Sequence, residues 1–191
     1  MWLNCLSLLG EGVIGHWLFH IQEEGMFQET LVVLKPDTLE RNLVGAIIDR
    51  FERAGLHIID IRYYRKVNEA ILRKHYPDSM AEGLGKKAQL ASPGITDAKA
   101  HGLKVLDRLR TYFTRSPVIA IRFGGEEAIQ TVRKVTGYTD PATAEKGTIR
   151  GDFGVDSITK STAELRACEN LIHASGNPEE AKSELALWFS E

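Results

Sequence analysis

Thr30-Leu31-Val32-Val33-Leu34-Lys35-Pro36-Asp37 sets four consecutive aliphatic residues between a threonine and a lysine–proline stop. Side chains of a strand point alternately to its two sides, so an unbroken apolar run fits a strand buried on both faces. Pro36 cannot donate a ladder hydrogen bond, which ends the strand at Lys35 and leaves that side chain at the edge of the sheet. Working outward, a helix is expected from about Asn42 to Ala54, with Leu43, Ile47 and Phe51 on one face and Gly55 as its stop. Leu56 to Tyr64 reads as a second strand, and Asn68 caps a short helix carrying His75 and Tyr76. Pro117 to Phe123 reads as a third strand, followed by a helix from Glu126 to about Thr136 that keeps Arg133 and Lys134 in its last turn. Thr139-Asp140-Pro141 has the cap-then-proline signature of a brief helix, ending near Gly147. Leu171-Ile172-His173 is a short fourth strand, and Asn177-Pro178-Glu179-Glu180 opens a final helix through Phe189.

Two βαβ-like units in this order predict an α+β sandwich of ferredoxin-like type, a four-stranded antiparallel sheet with helices on one face. Residues 26–191 form one domain in this reading. Two segments stand apart from the regular pattern, near 77–100 with its glycines and Pro93, and near 154–169 with its serines and threonines. Both are expected as surface insertions, and loops of that length tend to carry function or motion. Residues 1–25 are rich in Leu and Trp but lack a basic start and a small-residue cleavage pattern, so they are expected to be a non-core extension rather than a signal peptide. His16 and His20 are spaced to share a helix face, yet no third metal ligand accompanies them.

With 43% hydrophobic and 26% charged residues and a net charge of −2, the composition is that of an ordinary globular protein. Nothing in the bulk charge draws it to nucleic acid or to an anionic membrane. Cys5 and Cys168 are too far apart for a metal-ligand motif and fit a reducing compartment, with the cytoplasm expected. No apolar run is long enough to span a bilayer. Any phosphate chemistry must then come from local cations. Lys35 at the sheet edge, Arg133 at a helix end and Arg150 between Gly147 and Gly151 are such groups. Gly83-Leu84-Gly85-Lys86-Lys87 lacks the spacing and the strand–helix setting of a phosphate loop. His173 ends an apolar strand and is followed by Ala174-Ser175-Gly176, residues too small to bury it. An imidazole so placed, with no metal constellation, is a nucleophile for phosphate. Glu184, on the second turn of the following helix, can reach back to orient it. His57, His75 and His101 show no such setting.

These residues fall into ordered motifs. The chain resembles the nucleoside diphosphate kinases in its opening strand with Lys35-Pro36-Asp37, in Leu43-Val44-Gly45 through Arg50-Phe51-Glu52, and in His75-Tyr76. The resemblance continues in Gly137-Tyr138-Thr139-Asp140-Pro141, in Gly147-Thr148-Ile149-Arg150-Gly151-Asp152-Phe153, in Asn170-Leu171-Ile172-His173-Ala174-Ser175 and in the closing Glu184 to Phe189. It implies a phosphotransferase that moves the γ-phosphate of a nucleoside triphosphate to a nucleoside diphosphate by a ping-pong cycle. His173 would accept the phosphoryl group. Lys35 and Asn170 would hold the ribose hydroxyls, with Lys35 and Tyr76 also near the reacting phosphate. Arg133 and Thr139 would bind the inner phosphates and Arg150 the transferred one, while Ser175 and Glu184 would support the histidine. The resemblance further implies Mg²⁺ carried by the nucleotide phosphates, no metal ligated by the protein, and a homo-oligomer, hexamer or tetramer.

Three departures from the family pattern stand out. No aromatic residue lies between Tyr76 and Tyr112, where the family places a ring on the nucleotide base, and that interval is roughly twenty residues longer than usual. Leu103, Val105, Leu106 or a residue of the insertion is expected to substitute. The acid that the family commonly places near the metal, two residues beyond the small neighbour of the histidine, is Gly176 here. The loop between Arg150 and Asn170 is also about ten residues longer. Two other functions compete with the enzyme: a non-catalytic nucleotide-binding relative and a nucleic-acid-binding protein. The first has no need of an imidazole at 173; the second lacks interleaved basic and aromatic residues.

Overall fold

The computed structural model describes residues 26–91 and 94–190. Four antiparallel strands make one sheet in the order β2-β3-β1-β4: β1 is Phe27–Leu34, β2 His57–Tyr64, β3 Val118–Glu126 and β4 Ile172–Ala174. Leu31, Val32, Val33 and Leu34 are all fully buried in the central strand β1, as the unbroken apolar run predicts. Their alternation divides the core. Val32 and Leu34 join a cluster with Ile47 and Phe51 of α2 (Val44–Arg53) and with Ala128 and Val132 of α6 (Ala128–Thr136). Leu31 and Val33 join Leu72 of α3 (Glu69–His75), Leu106 of α5 (Ala98–Phe113), and Leu185 and Trp188 of α9 (Pro178–Trp188).

The two crossover helices α2 and α6 therefore share one face, as a ferredoxin-like sandwich requires. The expectation of helices on one face alone is extended: α3, α5 and α9 cover part of the opposite face. That addition follows from β1, because a strand apolar on both sides needs cover on both sides. Caps agree with the sequence reading at Asn68, whose Oδ1 accepts from Ala70 N, and at Asn177, whose Oδ1 accepts from Glu180 N. Asp140 and Pro141 begin only a 3-10 turn, Pro141–Thr143, which stops well short of Gly147. A separate helix α7 (Ile149–Phe153) follows, with Thr148 Oγ1 accepting from Gly151 N.

The insertions are more regular than expected. The first folds as α4 (Ala81–Ala91) packed against α5, and the sequence reading assigns neither helix. Glycine allows the two to approach closely. A Cβ at Gly85 would stand 1.7 Å from the carbonyl oxygen of Ala98, and one at Gly102 would stand 1.7 Å from that of Ala81. The Gly83-to-Lys87 stretch lies inside α4, away from any strand-to-helix turn, which agrees with its rejection as a phosphate loop. The second insertion contains α8 (Ile158–Ala163), capped by Ser157 and anchored by a bidentate pair between Arg166 and the buried Asp156. A short α1 (Pro36–Glu40) completes the set. Cys5, His16 and His20 lie outside the described residues.

Candidate active site

His173 enters the site from β4, where it pairs with Val33 of β1. Its Nε2 lies 2.9 and 3.0 Å from the two carboxylate oxygens of Glu184, reached from α9. Ser175 Oγ donates to the same carboxylate at 2.6 Å. A carboxylate accepts only, so it selects the tautomer with hydrogen on Nε2 and leaves the Nδ1 lone pair free. Among the described residues Nδ1 has no partner.

The strand that carries His173 is held by a strained turn. Leu171 has φ of 68°, a left-handed conformation that a branched side chain adopts only under constraint. Three groups from the end of β1 supply it. Lys35 N donates to Leu171 O at 2.8 Å, Thr38 Oγ1 donates to the same oxygen at 2.6 Å, and Asp37 Oδ2 accepts from Leu171 N at 3.0 Å. Tyr112 OH donates to the other oxygen of Asp37. Asp37 and Tyr112 therefore have a definite task, fixing the turn before the nucleophile, which motif matching alone did not assign.

The cations converge on the same place. Lys35 is buried, and its Nζ donates to Asn170 Oδ1 at 2.7 Å. Burial, reinforced by the charge of Arg150, lowers its pKa to about 8. Arg150 is buried in α7 and donates from Nε to Asn170 O, from Nη1 to Gly137 O and from Nη2 to Ile172 O, at 3.0, 3.1 and 2.8 Å. All three acceptors are neutral carbonyls, so the guanidinium is aimed without being neutralised, and two of its five N–H groups remain for a ligand. Burial also lowers its pKa, to about 10. Asn170 Nδ2 donates to Thr139 O at 2.9 Å, tying the exposed Thr139 loop to the strand. Arg133, exposed at the end of α6, lies beside Gly176: its Nη1 is 3.6 Å from where a Cβ there would stand. Tyr76 is buried with its ring 6.3 Å from that of His173, and burial raises its phenol pKa, so it serves as an O–H donor rather than a base.

Every residue expected to carry chemistry thus falls in one neighbourhood. His75 belongs there too, against the expectation that it has no functional setting. Its ring stands edge-on to that of His173 at 4.3 Å, and its Nδ1 accepts from the indole Nε1 of Trp188 at 3.2 Å. Burial, with the neighbouring His173 and Lys35, pulls its pKa well down, so it is a neutral wall. Its hydrogen-bond partner Trp188 comes from the far end of the chain, and no local signal in His75-Tyr76 announces that setting. His57 and His101 lie elsewhere, on β2 and α5. His75, His173 and Glu184 bring ligand atoms within 4.8 Å of one another, a spacing that an ion can share. Within that cluster Trp188 donates to His75 Nδ1 and Ser175 to Glu184, while the buried His75 Nε2 has no hydrogen-bond partner among the described residues.

The family model for nucleoside diphosphate kinase matches residues 28–87 and 98–191. The chain belongs to the nucleoside diphosphate kinase family. A nucleoside diphosphate kinase of Pyrobaculum aerophilum is 38% identical over 176 residues, covering 86% of this chain and 96% of the relative. One of Methanobrevibacter smithii is 36% identical over 166 residues, 87% of this chain and 89% of the relative. Among solved structures, an NDP kinase from Pyrobaculum aerophilum superposes with a TM-score of 0.81 at 33% identity, over 87% of this chain and 97% of that one. The Borrelia burgdorferi kinase, solved as a transition state mimic with vanadate and ADP, gives 0.73 at 34% identity, over 86% and 88%. Family, fold class and enzyme class thus agree with the expectations drawn from the motifs. The unmatched residues 88–97 lie in the first insertion and include the end of α4.

Proposed function

We propose that this nucleoside diphosphate kinase-family chain, a single domain over residues 26–191, transfers the γ-phosphate of a nucleoside triphosphate to a nucleoside diphosphate through phospho-His173. The observation that carries the reading is the asymmetry of His173, with Nε2 bound to Glu184 and Nδ1 without a partner among the described residues. The Nδ1 lone pair attacks the γ-phosphorus, an N–P bond forms, and the bond to the β,γ-bridging oxygen breaks with its electrons leaving on the diphosphate. A second diphosphate then attacks the same phosphorus with a terminal β-oxygen and restores the ring. Glu184 and Ser175 hold the ring and stabilise its charged form. Arg150 meets the charge on the transferred group, Arg133 and Thr139 the inner phosphates, and Lys35 with Asn170 the ribose hydroxyls. Tyr76 donates toward the phosphate beside Lys35.

The cleft offers cations and carbonyls rather than a cage of carboxylates, a donor set that fits Mg²⁺ carried in on the phosphates and not ligated by the protein. When bound with the nucleotide, such an ion would supply charge neutralisation for the phosphates. The ping-pong scheme is tested by varying ATP and GDP together. Parallel double-reciprocal lines support it; intersecting lines count against it.

The working form is a cytoplasmic homo-oligomer, a hexamer or tetramer. The outer edge of β2 supports this: among the described residues no strand pairs with it, and Ile59, Ile61 and Tyr63 remain 44, 49 and 63% exposed on that strand. Among the described residues no helix is long and apolar enough to cross a membrane.

A further inference from the structure

Glu180 lies in the first turn of α9, where capping explains part of its geometry. Its Oε2 accepts from Gly176 N at 2.9 Å and its Oε1 from Asn177 Nδ2 at 3.0 Å, while Asn177 Oδ1 accepts from Glu180 N at 2.8 Å. Capping does not explain what lies across from it. A Cβ built on Gly176 would stand 2.8 Å from Glu180 Oε2 and 3.6 Å from Arg133 Nη1. The carboxylate thus shares the space over Gly176 with a guanidinium of the phosphate cleft, and among the described residues the two form no ion pair. A carboxylate fixed at the mouth of a polyphosphate site repels the ligand unless a cation accompanies it. Gly176 also stands where an acid is expected, and the space left by its missing side chain is where Glu180 Oε2 lies.

We infer that Glu180 is a positioning residue for the divalent cation borne by the nucleotide, meeting it through one of the ion's water ligands. This rests on the nucleotide reading above. The ion keeps its phosphate and water ligands, and Glu180 accepts a hydrogen bond from one water, a contact Mg²⁺ favours because it gives up water reluctantly.

Calorimetric titration of the full chain with ADP, in Mg²⁺ and again in EDTA, tests the inference. Glu180→Gln keeps a side-chain acceptor for the cap but removes the charge. Relative to the natural chain, its Mg²⁺-dependent gain in ADP affinity should fall by about tenfold, the lower end for loss of an outer-shell partner. Its affinity for metal-free ADP should be unchanged or higher. Glu180→Ala should lose the same gain, and adding Gly176→Asp to it should restore the gain. A role in capping alone would lower Tm in Glu180→Ala and leave the Mg²⁺-to-EDTA ratio at the natural value, which overturns the inference. Failure of Gly176→Asp to restore the ratio also overturns it. If the natural chain binds ADP in neither condition, the nucleotide reading fails and takes this inference with it.

Discussion

At the scale of single residues, the site turns on where protons and charges are held. Glu184 fixes the His173 tautomer, so Glu184→Gln should let the ring sample the wrong one and lower kcat by about 10²-fold, the scale of a small misplacement of a reacting group. Steady-state kinetics check this, with circular dichroism to confirm the fold. Lys35 makes a pH prediction with two signs. Its charged form is the one that meets phosphate, so kcat/KM should fall as pH rises through about 8, rather than through the ordinary lysine value of 10.5. Stability should move the other way. Between about 8 and 10.5 the unfolded chain holds the Lys35 proton and the folded chain does not, so the lysine's contribution to stability rises with pH across that window. Denaturant melts of the natural chain and of Lys35→Met should show that rise in the first and not in the second. His173, Lys35, Arg150 and Asn170 were legible because their motifs are contiguous. Asp37, Tyr112 and His75 were not, because their roles depend on partners at Leu171 and Trp188, distant in sequence.

At the scale of elements, α4 and α5 show where pattern reading stops. Gly83, Gly85 and Gly102 speak for a loop, since each glycine costs about 1 kcal/mol in a helix interior. The close approach of the two helices offsets that cost and depends on Gly85 and Gly102 having no side chain. Gly102→Ala should therefore destabilise the domain by about 1–3 kcal/mol, the range for overpacking, although alanine is the better helix former. Thermal unfolding decides between packing and propensity. The structure also separates two of the expected substitutes for the stacking ring. Leu106 is fully buried in the core and cannot cover a base, whereas Val105 is only half-buried and remains available. Val105→Phe should tighten ATP, GTP, CTP and UTP together by about tenfold, within the 1–3 kcal/mol range of an aromatic–base stack. Leu106→Phe should cost stability instead. A strong preference of the natural chain for one base would mean that the first insertion reads the base by hydrogen bonds.

At the scale of the whole molecule, β1 decides the architecture by being apolar on both sides, and β2 marks where it stops. Burial on both faces was readable in β1, but the exposure of Ile59, Ile61 and Tyr63 on β2 was not. Those residues look like core in sequence, yet they remain exposed on the edge strand. Ile61→Glu should shift the species seen by light scattering toward the monomer, since a charge on a buried edge has no partner. An unchanged mass would place any subunit contact elsewhere. The central claim, that phosphate passes through His173, is tested most directly by incubating the full chain with ATP labelled at its γ-phosphate and no acceptor. The expected product is a protein-bound label that is acid-labile and alkali-stable, lost when GDP is added, and absent from a folded His173→Ala variant. An unlabelled natural chain, or a label that persists in His173→Ala, would contradict the account.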